Sequence, residues 1–300
     1  MKAVVTGARG FVGRHLVRQL TDLGTEVASL DLDDARPVDI TDADAVARRI
    51  AEESPDVVYH LAARSHVGAS WQAGDALDAV NVGGTRAVVD ACAAAGVGRV
   101  LVVGSAEQYG AVDDPSVPIV EDTECRPLSP YGRTKVEAEQ HLLDSANVIT
   151  LRLATVFGMS PRMRLDLLVN HFVYTALTEG YIVIFEKDFK RNYIHVRDVA
   201  DCMLFGIANA ARLAGRPYNL GLDSANLSKE ELALKVKQYV PNFYVHFAAI
   251  GQDPDKRNYV VSSQRLREAG FEARRSLDEG IQELLKGYRM MGRGLFKNAA

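Results

Sequence analysis

Over its first 150 residues the chain alternates short, mainly apolar runs with longer segments whose apolar residues recur at helical spacing. The runs Ala3-Val4-Val5, Glu26 to Leu30, Val57-Val58-Tyr59, Val100 to Val103 and Val148 to Leu151 predict five strands. His15 to Leu23, Ala43 to Glu52 and Val80 to Ala95 predict helices between them. Strands alternating with helices close into right-handed βαβ units, and strands covered by helices on both faces carry apolar residues on both. The pattern predicts the α/β class: a Rossmann-type doubly wound parallel sheet.

After about residue 152 the alternation breaks down. Residues 159–178 read as a loop and then a helix, Tyr181 to Phe185 as a strand, Arg197 to Ala211 as a helix and Pro217 to Leu220 as a strand. Ser228-Lys229-Glu230-Glu231 has the form of a capping box and predicts a helix start. Residues 1–155, with helix and strand returning near 186–215, are expected to form the sheet domain. Residues 156–185 and 216–300 are expected to form a smaller mixed α/β region for substrate. The two should fold as one body around a cleft, with Gly294 to Ala300 loosely held.

Composition narrows the function classes. Hydrophobic residues make up 47% and charged residues 25%, with a formal net charge of −4. That balance gives no electrostatic reason to expect nucleic acid or an anionic membrane. No apolar run approaches the roughly 20 residues of a bilayer span, and MKAVVTGARG leaves no room for a signal peptide. A cytoplasmic protein is expected. Cys92, Cys125 and Cys202 are widely spaced and read as small buried hydrophobes, and no cluster has metal-ligand spacing.

The first strand runs into Thr6-Gly7-Ala8-Arg9-Gly10-Phe11-Val12-Gly13, which opens the first helix. Gly7 and Gly10 permit a tight turn, and Gly13 permits close packing. The turn's backbone N–H groups, through Phe11 and Val12, join the positive end of the helix dipole to receive a pyrophosphate. Asp31 falls 18 residues beyond Gly13, at the end of the second strand. A carboxylate there accepts hydrogen bonds from the ribose hydroxyls of NAD and repels the phosphate of NADP. Asp39 and Ile40 are placed to flank the adenine. NAD is the expected cofactor.

Tyr131 and Lys135 stand four residues apart, on one face of a helix. A phenol titrates near pH 10, and a nearby ammonium is expected to lower that value toward neutrality. Ser105 follows the fourth strand, at the carboxyl end of the sheet where such folds bind ligands. It is placed to hydrogen-bond a hydroxyl undergoing oxidation.

These motifs, with His60-Leu61-Ala62-Ala63, Asn81-Val82-Gly83-Gly84-Thr85, the run Arg191 to Ala200 and Tyr218-Asn219-Leu220-Gly221, resemble the extended short-chain dehydrogenase/reductase family. The resemblance is to its NAD-dependent nucleotide-sugar epimerase/dehydratase branch and covers nearly the whole chain. It implies that Tyr131 is the base, Lys135 its partner and ribose ligand, and Ser105 the hydroxyl binder. It implies that Leu61, Ala62, Ala63 and Asn81 border the cofactor, and that a nucleotide-diphosphate sugar lies against the smaller region. Ser65, His66, Ala106, Glu107, Arg162, Arg164, Asn170, Arg191 and Arg257 are the candidate substrate residues, the arginines for a pyrophosphate. His60, His195 and Asp198 read as structural. A homodimer through the two long helices flanking the sheet is a further implication.

Members of the branch oxidise a sugar hydroxyl, usually at C4, to a ketone. Epimerases return the hydride to the other face, dehydratases eliminate water, and reductases begin from a keto sugar. Glu107 suits elimination as a base for the C5 proton. Ala106 argues against it, because the usual acid for the departing hydroxyl is missing. Ala69-Ser70-Trp71 and the short link after Asp31 resemble 4-keto-sugar reductases. The expected reaction is 4-epimerisation, with 4,6-dehydration using Glu107 and NAD(P)H-dependent reduction as alternatives. A non-catalytic NAD-binding regulator is the alternative of a different class, and the presence of Tyr131, Lys135 and Ser105 together argues against it.

Overall fold

The computed structural model describes residues 1–142, 147–251 and 257–291. The expectation for Gly294 to Ala300 lies outside the described residues. Six strands form a parallel sheet: β1 (Lys2–Thr6), β2 (Glu26–Leu30), β3 (Val57–His60), β4 (Val100–Ser105) and β5 (Val148–Leu153), joined at the far edge by β9 (Arg216–Leu220). Their order across the sheet is β2-β1-β3-β4-β5-β9.

Strand alternation divides the core into two halves. Ala3, Val5, Val57, Tyr59, Leu101 and Ile149 face one side, where they meet Leu16, Leu20, Val199 and Met203. Val4, Val58, Val100 and Val102 face the other, with Val46, Ile50 and Val88. The helices Gly13–Asp22 and Val196–Ala208 therefore cover one face, and Ala43–Glu53 and Gly84–Ala94 the other. Because both faces are covered, β3 and β5 are buried along their whole length.

The remaining strands are β6 (Thr155–Phe157), β7 (Tyr181–Ile184), β8 (Lys190–His195), β10 (Asn226–Ser228) and β11 (Tyr244–Phe247). They form a three-stranded sheet, β10-β8-β6, and a two-stranded parallel pair, β11-β7. Ser228 caps the helix Lys229–Tyr239 with both halves of the capping box formed. Two boundaries differ from the sequence expectation. The strand β9, grouped there with the substrate region, pairs with β5 and completes the central sheet. The strand β8, within the stretch grouped with the sheet domain, belongs to the smaller sheet.

The helix expected over Val80 to Ala95 is also not uniform. Residues Ala79–Gly83 form one wide π-type turn, and the regular helix Gly84–Ala94 follows. Such turns break the regular hydrogen-bond ladder and recur at functional sites. Here the turn carries Asn81.

Candidate active site

The strand order reverses beside β1, and the loops leaving β1 and β3 frame the crevice where doubly wound sheets hold ligands. Thr6 Oγ1 joins these loops, accepting from the N–H groups of Leu61 and Ala62 at 3.1 Å each. Gly7 has φ +66°, and a Cβ there would stand 2.8 Å from the Ala62 nitrogen. At Gly13 a Cβ would lie 2.2 Å from the Gly7 carbonyl oxygen, so the turn requires glycine at both positions.

The Gly13–Asp22 helix starts without a side-chain cap. Among the described residues, the N–H groups of Phe11 and Val12 meet no acceptor. Asp31 lies just past β2 and accepts from the Arg9 N–H at 2.8 Å. Unpaired amides at an uncapped helix start fit a pyrophosphate, and the carboxylate beside the turn fits a ribose diol. The residues present therefore fit a dinucleotide.

Three further residues expected at the cofactor make contacts within the protein. Ile40 is buried against Gly84, where its Cδ1 and Cγ1 carbons occupy the space a Cβ would need. Asp39 is exposed and bonds the Thr41 N–H at 2.9 Å. Asn81 is fully buried, and its amide is spent on the protein. Its oxygen accepts from the Arg64 N–H at 2.8 Å, and its nitrogen donates to the Arg64 carbonyl and to Thr134 Oγ1, each at 3.0 Å. Asn81 thus ties the loop after β3 to the helix that carries Tyr131.

That helix spans Pro130–Gln140. Ser129 caps it by accepting from the Gly132 N–H, and Pro130 occupies its first turn, where the missing N–H costs nothing. Tyr131 and Lys135 are both buried on its inner face. Ser105 closes β4 next to this face, near enough for its hydroxyl to act on the Tyr131 phenol. The Ser105 backbone is clamped by Gln108, whose Oε1 accepts the Ser105 N–H at 3.0 Å. Lys135 Nζ donates to the Val103 carbonyl at 2.9 Å and lies 6.0 Å from the centre of the Tyr131 ring.

The electrostatics correct one expectation. Burial pushes the Tyr131 phenol up to about 12, the Ser105 hydroxyl opposing it and the Glu107 charge adding to it. Burial also draws Lys135 down to about 8, with Glu139 opposing. The ammonium points at a backbone carbonyl, so these side chains alone do not bring the phenol toward neutrality. Behind them Arg152 of β5 holds Glu139 through Nε at 3.0 and 3.2 Å, bracing the helix against the sheet.

Glu107 is 2 % exposed. One oxygen accepts from Ser129 Oγ at 2.8 Å, and the other pairs with Arg257 at 2.5 Å. Tyr259, beside Arg257, donates to the Ala106 carbonyl at 2.8 Å. Arg257 and Arg191 share the lining of a small cavity with Ala106, Thr155, Asn192 and Tyr259. A second cluster joins the loop after β3 to residues 164–166. Arg164 donates to Ser65 Oγ at 2.7 Å and grips Asp166 through Nε at 2.8 Å, while His66 lies 3.8 Å from Asp166.

Two expected substrate ligands make contacts within the protein. Arg162 pairs with Asp33 at 2.8 Å. Asn170 is fully buried and holds the loop before it, accepting from the Gly158 N–H and donating to the Arg164 carbonyl at 3.0 Å each. His60 is enclosed between Thr6 and Thr85, at 2.7 and 3.0 Å. His195 caps the helix Val196–Ala208 and meets Glu283, and Asp198 holds Arg275. Sequence reasoning missed Ser129, Asp166 and Tyr259. Only Ser129 had a local signal, the Ser-Pro pair that opens a helix.

Among the described residues, no group of three or more His, Cys, Asp or Glu is arranged to hold a metal, and no helix is long and apolar enough to cross a membrane.

Comparison with known proteins adds the following. Residues 3–221 match the model of the NAD-dependent epimerase/dehydratase family. A UDP-glucose 4-epimerase of Mycolicibacterium smegmatis is 30% identical, over 96% of this chain and 99% of that protein. A dTDP-glucose 4,6-dehydratase of an Actinoplanes species is 28% identical, over 96% and 98%. The structure of MoeE5 in complex with UDP-glucose and NAD superposes with a TM-score of 0.85 at 28% identity, over 97% of this chain and 99% of that one.

Proposed function

The chain belongs to the NAD-dependent epimerase/dehydratase family, and from that premise we propose that it is a nucleotide-sugar 4-epimerase. The observation that carries the reading is the placement of Ser105 at the carboxyl end of β4 beside the buried Tyr131 phenol, with Lys135 one helical turn along. Bound NAD supplies the hydride acceptor and donor and, through its cationic ring, the positive charge that favours phenolate. Tyr131 takes the proton of the sugar hydroxyl, and Ser105 orients that hydroxyl and shares its proton. Lys135 places a positive charge behind the phenol and a donor beside the cofactor's ribose. Arg191 and Arg257 supply positive charge for the diphosphate of the sugar nucleotide.

One feature favours epimerisation over elimination: Ala106 offers no acid for a departing hydroxyl. The buried position of Glu107 beside Tyr131 is the observation that keeps 4,6-dehydration as the second reading.

A mass-spectrometric panel of UDP-, dTDP-, GDP-, CDP- and ADP-sugars separates the two. Unchanged mass with altered retention is expected, whereas loss of one water from the product would establish dehydration instead. The same reading makes the protein a homodimer through the helices Gly84–Ala94 and Pro130–Gln140, and light scattering at the monomer mass would contradict it.

A further inference from the structure

Arg257 faces two claims at once. Its guanidinium pairs with Glu107 at 2.5 Å, and it shares the lining of a small cavity with Arg191, whose Nη1 donates to the Lys190 carbonyl at 2.8 Å. Glu107 is almost completely enclosed, and its other oxygen is held by Ser129. Breaking such a pair leaves an enclosed charge uncompensated, so Glu107 and an incoming anion compete for one partner. A diphosphate presents more charge and more acceptor oxygens than a carboxylate, and Arg191 lines the same cavity.

Building on the nucleotide-sugar reading above, we propose that Arg257 is a substrate-operated tether on Glu107. In the chain without substrate it neutralises and holds that carboxylate, and the diphosphate of a nucleotide sugar draws the guanidinium away. The carboxylate, then held by Ser129 alone, is released toward the phenol of Tyr131 only when substrate is seated. Glu107 thereby lowers the affinity for the diphosphate while coupling its own release to binding. By linkage, diphosphate affinity and the Glu107–Arg257 pair oppose each other by one and the same factor.

The test is equilibrium binding of nucleoside diphosphates (UDP, dTDP, GDP, CDP and ADP) to the NAD-loaded protein by calorimetry. Glu107→Gln removes the internal competitor and is expected to tighten the diphosphate that binds wild type by about tenfold, within the usual range of coupling between sites. Arg257→Ala is expected to weaken it, and the double variant to show no gain from Glu107→Gln. NAD content and melting temperature report whether each variant is folded. Should Glu107→Gln fail to fold, Glu107→Asp, which shortens the reach to Arg257, is expected to tighten binding in the same direction. Unchanged or weaker binding in a folded Glu107 variant, or a gain that persists without Arg257, overturns the tether alone. Failure of every diphosphate to bind wild type overturns the nucleotide-sugar reading and the tether with it.

Discussion

Lys135 Nζ donates to the Val103 carbonyl at 2.9 Å from a side chain that is only 6 % exposed. Burial holds its pKa near 8, below the 10.5 of a free lysine, so the folded chain releases this proton more readily than the unfolded chain. The unfolded state therefore binds more protons between about pH 8 and 10.5, and stability rises with pH across that window. Below pH 8 the full penalty applies, about 3 kcal/mol. Lys135→Met should accordingly melt higher than the unaltered protein at pH 7, both without NAD, while losing turnover. The difference should shrink as pH rises toward 10.5. A lower melting temperature for Lys135→Met at pH 7 would show that the carbonyl contact outweighs the burial cost.

His60 makes the same demand at lower pH. Enclosed between two threonine hydroxyls, it is drawn down to about 3, chiefly by burial with the Lys135 charge adding. The unfolded state takes up this proton first, so the His60 contribution is intact above pH 6.5 and is lost as pH falls toward 3. The full loss is roughly 4–5 kcal/mol. His60→Asn should flatten the acid limb of a stability profile measured by urea unfolding between pH 7 and 4. A parallel acid limb in the variant would place the sensitivity elsewhere.

Asp31 should set the choice of dinucleotide. Its carboxylate accepts from the Arg9 N–H of the glycine turn, and a carboxylate at that place suits ribose hydroxyls and opposes a phosphate. Asp31→Ala is expected to weaken NAD binding about tenfold, the worth of roughly 1.4 kcal/mol, and to narrow the preference over NADP. Fluorescence titration of both cofactors checks this. Equal affinity of the unaltered protein for NAD and NADP would contradict the role.

Features dictated by local periodicity were legible in the sequence. Apolar runs located five strands of the central sheet, and Ser105, Tyr131 and Lys135 lie near one another where β4 ends. What was hidden depends on partners distant in the chain. Asn81, Ile40 and Asn170 each contact a neighbour that only the fold brings close: the Arg64 backbone, Gly84 and the loop at 158–164. Arg162 likewise finds Asp33, 129 residues away. The strand β9 escaped assignment to the central sheet because its pairing with β5 spans a whole intervening region. The state of Tyr131 was hidden for the same reason, since burial and the aim of the Lys135 side chain decide it rather than their spacing.

The most direct test of the account is the turnover of Tyr131→Phe on whichever nucleotide sugar the panel identifies, measured with bound NAD quantified in the same sample. The substitution removes one phenolic oxygen and leaves the ring in its buried place. With NAD content unchanged, turnover should fall by about a hundredfold or more, the usual worth of an acid–base group. Turnover equal to that of the unaltered protein would contradict the role assigned to the phenol.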